Sequence, residues 1–530
     1  MRRWNGWGDE ATTYHLPESA VRFLVSVVGA GQRQPDASFE RVLASVPPSP
    51  LRPQTHVTPD AVDRLYHARG QSLPDWVALR SGRIAAFPDG VAYPTSDDDI
   101  RALFAYAKTS GAKLIPYGGG TSVVGHINPR PIDAPTLTVD LGHLNRLLDF
   151  DATSRLATFE AGVTGPDLER HLTARGYTLG HFPQSWELST LGGWIVTRSS
   201  GQQSYHYGRI EDLFAGGHVE TPQGALDLWP LPASAAGPDL RQIILGSEGR
   251  FGIVTRAIVR AQKLPEFEAF YGVFFHDWAS GAAAVRAIAQ AGLPVSMLRL
   301  SNASETNTTL KLSGKDRLVG FAQRGLKALQ YGDERSLLVL GVTGDKATTD
   351  FAYKSAVALA RKHGGLVTGQ AIGQLWRQSR FRTPYLRNTL WERGYAIDTL
   401  ETALPWSKVL TTAPLIQAAI HAALEKFNER AHVFAHLSHV YPDGASIYTT
   451  YLWRRGADPD QTLAHWHAMK DAASQIILAH GGTISHQHGV GVDHAPYLKI
   501  EKGPIGLQMI EGVRASLDPD RLLNPGKLIE

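Results

Sequence analysis

The stretch Leu114-Ile115-Pro116-Tyr117-Gly118-Gly119-Gly120-Thr121-Ser122-Val123-Val124-Gly125 constrains this chain more than any other. Three consecutive glycines remove every Cβ, so successive amides can turn inward and meet an anion at hydrogen-bonding distance. Thr121 and Ser122 add hydroxyl donors beside them. A tight turn between two strands is the plainer alternative. Spacing narrows the anion reading. A dinucleotide fingerprint starting at Gly118 needs glycine at position 123, where Val123 stands. A Walker-type loop starting at Gly120 reaches Gly125 but then meets His126-Ile127 in place of Lys and Ser/Thr. Both fail, which leaves a pyrophosphate cradle of another kind.

The flanking pattern sets the loop in an α+β chain. Ser96 followed by Asp97, Asp98 and Asp99 predicts a helix start, with acids at the positive end of the helix dipole. Ile100, Leu103, Phe104 and Ala107 then fall on one helical face, and Ser110-Gly111 leads to a strand that runs into the glycines. Leu137, Val139 and Leu141 alternate as a strand, residues 156–159 predict another, and Gly165-Pro166-Asp167-Leu168 opens a helix that stops at Gly176. Two apolar strands are expected around the glycine turn of residues 243–254. Upstream, a helix opening at Pro17-Glu18 is expected to run until the prolines of residues 47–53 break it. Longer helices and strands follow, including a helix over residues 282–289. The division this predicts is an N-terminal extension (1–90), a ligand-binding unit (91–265), an inserted α/β cap (266–475) and a C-terminal segment (476–530) returning to the first unit.

Composition closes several routes. The 530 residues contain no cysteine, which excludes disulfides, thiolate nucleophiles, zinc–thiolate sites and iron–sulfur clusters. Lys and Arg number 53 against 50 Asp and Glu, with no basic run of five, so no nucleic-acid partner is expected. No apolar run approaches the roughly 18 residues of a spanning helix. With neither an apolar signal-type start nor a peroxisomal final tripeptide, a cytoplasmic protein is expected.

Five segments occur in a telling order: residues 116–122, 184–193, 197–201, 207–213 and 246–253. Together they resemble the flavin-binding half of the vanillyl-alcohol oxidase and p-cresol methylhydroxylase superfamily. The resemblance implies a two-part FAD-binding domain with an inserted cap. It implies FAD contacts at Pro116, Tyr117, Gly118, Gly119, Gly120, Thr121, Ser122, Gln184, Ser185, Leu188, Ser189, Thr190 and Gly193. Further contacts are implied at Thr197, Arg198, Ser199, Ser200, Glu248, Gly249, Gly252, Ile253 and Val254. Many members tether FAD to a histidine just after the glycine turn; Thr121 and Ser122 stand there and His126 comes slightly late, implying non-covalent FAD.

Within that superfamily, Trp4-Asn5-Gly6-Trp7-Gly8, Pro384-Tyr385-Leu386-Arg387, Glu401-Thr402-Ala403-Leu404-Pro405-Trp406, Gly444-Ala445-Ser446-Ile447-Tyr448 and Ser485-His486-Gln487-His488-Gly489 resemble the alkyldihydroxyacetonephosphate synthase family. The resemblance implies exchange of the acyl group of acyl-dihydroxyacetone phosphate for a fatty alcohol, with the substrate carbon held transiently on flavin N5 and no net redox. Tyr448 is then catalytic, Arg387 holds the departing carboxylate, and Arg299 lies near the flavin; Tyr451 is the second choice of tyrosine. His486 and His488, two apart, would share one face of a strand and suit proton transfer near neutrality. Exposed strand histidines, or a metal site joined by His436 and His439, are the alternatives; no metal is expected. Gln487 stands where the family's middle histidine would be, and an amide carries no proton. Either arginine could instead be a surface ion-pair residue. An FAD-dependent 2-hydroxyacid dehydrogenase or oxidase is the runner-up function, and a non-catalytic flavin or lipid carrier the third. A homodimer and peripheral membrane contact are expected.

Overall fold

The computed structural model describes residues 2–312 and 324–529. Met1 and Glu530, read above for targeting, and cap residues 313–323 lie outside the described residues. Two sheets build the ligand-binding unit. The first has four strands in the order Val57–Thr58, Gly90–Ala92, Thr136–Asp140, Lys113–Tyr117, the last three mutually parallel. Helix Asp97–Ser110 begins as predicted, with the Ser96 side chain accepting from the Asp99 amide at 3.2 Å, and ends at Gly111 with φ 74°. Its apolar face packs on this sheet together with Leu522 and Leu523. Leu523 pairs with Leu114, so the chain's end returns to the strand that feeds the glycine loop.

The second sheet is antiparallel, in the order Leu147–Asp151, Leu156–Glu160, Ile253–Arg260, Phe214–Thr221, Gly224–Leu228. The cap is a seven-stranded antiparallel sheet, in the order Leu366–Val367, Phe267–Phe275, Ser336–Gly344, Met297–Ser301, Ala431–Val440, Gly444–Arg454, Tyr395–Pro405. Alternation gives it two unlike faces. Leu298, Leu300, Ala435, Leu437, Ala445 and Ile447 face a core shared with helices Trp278–Gln290 and Lys346–Lys362. Tyr451 and Trp453 face a second core, which helices Trp406–Glu425 and Pro459–Ala479 share with helix Leu73–Ser81 and Trp7. The intervening side chains of the same strands are free to build a site on the opposite face.

Three expectations differ from the structure. Helix Glu18–Val28 stops at Gly29, whose φ of 90° a helix cannot continue, well before the prolines. Residues 243–254 hold one strand, not two. Ile244 ends the short helix Arg241–Ile244, and the amides of Gly246 and Glu248 bond the carbonyls of Ile195 and Val196 instead of a sheet partner. The loop through residues 484–490 is not a strand.

Helix Asp97–Ser110 is also tied to the second sheet through charge. His218 sits between Glu220, 2.9 Å from Nε2, and Asp227, 2.5 Å from Nδ1, with Asp97, Arg101 and Arg256 around them. Burial works against its charge, but the two carboxylates outweigh it and raise its pKa. A raised folded pKa gives stability that is full below about pH 6.5 and is lost as pH rises through the folded value. We expect His218→Gln to lower the melting temperature at pH 6 and to have less effect at pH 9. Equal losses at both would show that His218 contributes no charge.

Candidate active site

The glycine loop packs so closely that no other residue fits. A Cβ on Gly119 would stand 1.7 Å from the Leu188 carbonyl oxygen, one on Gly118 2.3 Å from Thr190 Oγ1, and one on Gly249 2.9 Å from Pro116. Three separated segments of the expected cofactor site, at residues 116–122, 184–193 and 246–254, are thus in mutual contact. Among the described residues, no protein group accepts from the amides of Gly119, Gly120, Thr121 or Ser122. Consecutive unpaired donors beside a closely packed turn suit a phosphate-bearing group, so the residues fit FAD. Ser200 Oγ is a further buried, unpartnered group.

Other expected contacts are committed to the protein. Thr190 caps helix Leu191–Thr197, Ser189 accepts from Trp194 Nε1 at 2.7 Å and receives Ser185 Oγ at 3.2 Å, and Thr197 bonds Gly193 O. Arg198 turns to Leu245 O and Gln242, and Ser199 lies 3.2 Å from His181 Nε2. Glu248 accepts from the amides of Val490 and Gly491. Ile253 and Val254 bury their side chains in the cores, Gly252 packs on Val219, and Gln184 is exposed. Tyr117 accepts from Arg2 Nη2 at 2.8 Å, a contact from the N-terminal extension that sequence reasoning missed. His126 is buried with Nδ1 2.8 Å from Ser122 Oγ and Nε2 3.1 Å from Glu248 Oε1.

Register lines up a polar row on the cap sheet's other face. Ser301 pairs with His436, His436 with Tyr448, and Tyr448 with Glu401. The His436 ring stacks on Tyr448 at 4.9 Å. Arg299 completes that end, bonding Glu305 at 2.6 Å, Ser301 Oγ at 2.9 Å and His436 Nδ1 at 3.1 Å. Tyr448 donates to Thr399 Oγ1 at 3.1 Å, and burial raises its pKa, so the phenol stays neutral. His488 meets the Tyr448 ring edge-on at 5.8 Å. Burial pushes His488 down, which leaves a neutral imidazole able to accept a proton.

Glu401 is the group the sequence reading left out of the site. Its side chain has no exposed surface. Oε2 receives Gln487 Nε2 at 2.7 Å, and Oε1 lies 3.3 Å from His486 Nδ1 and 4.0 Å from His439 Nε2. Burial opposes its ionisation, but His486, then His439 and His488, hold the carboxyl below the usual range. Its signal was the motif beginning at Glu401, which places the acid on the strand face opposite the core. Burial pushes His439 down to about 3, and its Nδ1 lies 2.9 Å from Ser204 Oγ. Glu401, His439 and His486 are close enough to suggest a metal site. The two imidazoles stack at 4.9 Å with planes 26° apart. His486 and His488 reach the row from a loop rather than a strand face, and Gln487 between them turns to Glu401.

Arg387, on helix Thr383–Glu392, stacks 4.4 Å over Trp76 and donates Nη1 to Gln71 O at 2.7 Å. Its Nη2 is buried without a partner, which rules out a surface ion-pair residue. Tyr451 points into the second core and donates to Asp398, so the second-choice tyrosine is structural.

The model for FAD linked oxidases, C-terminal domain, matches residues 264–528, and that for the FAD binding domain matches residues 88–227. The chain is 29% identical to the alkyldihydroxyacetonephosphate synthase of Trypanosoma brucei brucei, over 99% of this chain and 92% of that protein. It is 30% identical to that of Caenorhabditis elegans, over 88% and 80%. A solved alkyldihydroxyacetonephosphate synthase superposes with TM-score 0.85 at 26% identity, covering 99% of both chains. The chain belongs to the alkyldihydroxyacetonephosphate synthase family. It is an FAD-dependent enzyme with the α+β fold of that family; p-cresol methylhydroxylase shares the fold at TM-score 0.67 and 14% identity. No helix of the described residues is long and apolar enough to cross a membrane.

The cradle makes a sharp demand on one residue. Gly119→Ala should push the loop off Leu188 and lose bound flavin, read on the folded fraction as the ratio of absorbance at the flavin band to that of the protein. A wild-type ratio would show that the loop is not the cradle.

Proposed function

We propose that this family member exchanges the acyl group of acyl-dihydroxyacetone phosphate for a long-chain fatty alcohol, forming an ether bond. One observation carries the reading: neutral His488, the Tyr448 phenol and the unpartnered Arg387 Nη2 share the same buried region of the cap. FAD, when bound, supplies the redox-neutral chemistry that separates loss of the acid from addition of the alcohol. His488 takes the proton from the carbon beside the ketone, and Tyr448 donates a hydrogen bond to the developing oxyanion. Arg387 offers a planar fork to the departing carboxylate. Arg299 has its charge committed to Glu305, so it acts by holding His436 against Tyr448.

Non-covalent FAD belongs to the same proposal. Thr121 carries no nucleophilic imidazole, and both nitrogens of His126 already face protein groups. Peripheral contact with a membrane suits two long-chain substrates and needs no spanning helix.

Wild-type protein should incorporate labelled hexadecanol into lipid when given acyl-dihydroxyacetone phosphate. Tyr448→Phe and His488→Gln should cut this about 10²-fold or more with flavin content unchanged. No incorporation by a flavin-loaded wild-type protein refutes the proposal, and rapid flavin bleaching by lactate or glycolate would favour the 2-hydroxyacid reading. In flotation with vesicles carrying the acyl substrate, the protein should rise with the lipid; sedimentation with the soluble fraction would count against membrane contact.

A further inference from the structure

Exchanging an acyloxy for an alkoxy group consumes R–OH and releases R′–COO⁻, so one proton leaves per turnover at neutral pH. The reaction therefore has two proton tasks. One removes and returns the proton on carbon, which His488 and Tyr448 can perform. The other removes the hydroxyl proton of the incoming alcohol, and nothing above assigns it.

A second array stands beside the first. Tyr441 Oη lies 2.7 Å from His486 Nε2, and His486 Nδ1 lies 3.3 Å from Glu401 Oε1. His486 Nδ1 and Glu401 Oε1 are both buried and neither has a hydrogen-bond partner, so the two are left facing each other as a charge contact. Gln487 already occupies Oε2, so the remaining oxygen is left to the imidazole. A carboxylate at Nδ1 favours the tautomer protonated there, which turns the Nε2 lone pair to the Tyr441 hydroxyl. Arg209 Nη2 bonds the His486 carbonyl at 2.9 Å and fixes the loop. His486 is buried whereas Tyr441 is half-exposed, so the array opens at the tyrosine.

We propose that Tyr441 accepts the proton of the incoming alcohol, with His486 and Glu401 as the positioning residues behind it. The inference rests on the exchange reaction proposed above. As the alcohol oxygen bonds to carbon, its proton passes to Tyr441 Oη and the phenolic proton passes to His486 Nε2. The phenol stays neutral, and the Glu401 carboxylate stabilises the imidazolium. The extra proton leaves through Tyr441 to water after the acid has departed as its carboxylate. Burial, the largest influence, pushes the Tyr441 phenol up to about 12, which fits a group that relays a proton without holding a charge.

The two half-reactions separate the roles. Tyr441→Phe should keep the release of labelled fatty acid from acyl-dihydroxyacetone phosphate within about twofold, while labelled hexadecanol incorporation falls about 10²-fold. Wild-type incorporation by Tyr441→Phe, or an equal fall in both half-reactions, overturns the proposal. If flavin-loaded wild-type protein neither releases acid nor incorporates alcohol, the exchange reading has failed instead. The array is then judged by ¹⁵N resonances of His486, assigned by their loss in His486→Gln. Tyr441→Phe should move the Nε2 signal and Glu401→Gln should shift the tautomer; unchanged signals refute the array.

Discussion

A carboxylate without exposed surface, Glu401, is the constraint around which the cap and the cofactor unit meet. An isolated charge at such depth costs several kcal/mol, so it persists only where partners converge on it. They come from three other places in the sequence. The carboxylate lies on strand Tyr395–Pro405, His439 on strand Ala431–Val440, and His486 and Gln487 on the loop before the final helix. Arg209 and Ser204 reach in from the cofactor unit to hold His486 O and His439. Loss of any one approach would leave a buried charge or a buried imidazole unsatisfied. The same convergence sets Tyr448, the cross-strand neighbour of Glu401, at the centre of the site.

The glycine loop solves the opposite problem. There four consecutive amides have no protein acceptor, an arrangement that suits an anion. Backbone atoms of Leu188 and Ser189 fill the space a side chain would take at Gly119, and the Thr190 side chain fills that at Gly118, so the loop is held close against this segment. Unpaired amides in a rigid turn and a buried acid ringed by histidines are two different uses of polar groups in one chain.

Much of this was legible in the sequence where the physics is local. The helix start at Ser96, the alternation through Tyr448 and the glycine requirement each depend on neighbours within a few residues. What could not be read depends on who meets whom in space. Two histidines spaced by one residue suggest a strand face, but residues 484–490 form a loop whose polar groups are held by side chains: Gln487 Nε2 donates to Glu401 Oε2, and Arg209 Nη2 donates to the His486 carbonyl. Residues 243–245 look like a strand until the carbonyls at the end of helix Leu191–Thr197 claim the amides of Gly246 and Glu248. Glu401 was in plain view within a recognised motif, yet only the register across three strands shows that it faces Tyr448. Arg2 had no local signal, since its partner Tyr117 is 115 residues away.

The amide at position 487 sharpens what the acid–base groups must do. Gln487 can hold one Glu401 oxygen but cannot take or give a proton, so it fixes the carboxylate without competing for its work. The histidines on either side face different tyrosines: His486 meets Tyr441 and His488 meets Tyr448. One loop of three residues therefore serves two phenols with an inert spacer between them. A reaction that loses one oxygen nucleophile and gains another has use for such a division, because the proton on carbon and the proton on the alcohol need not share an acceptor.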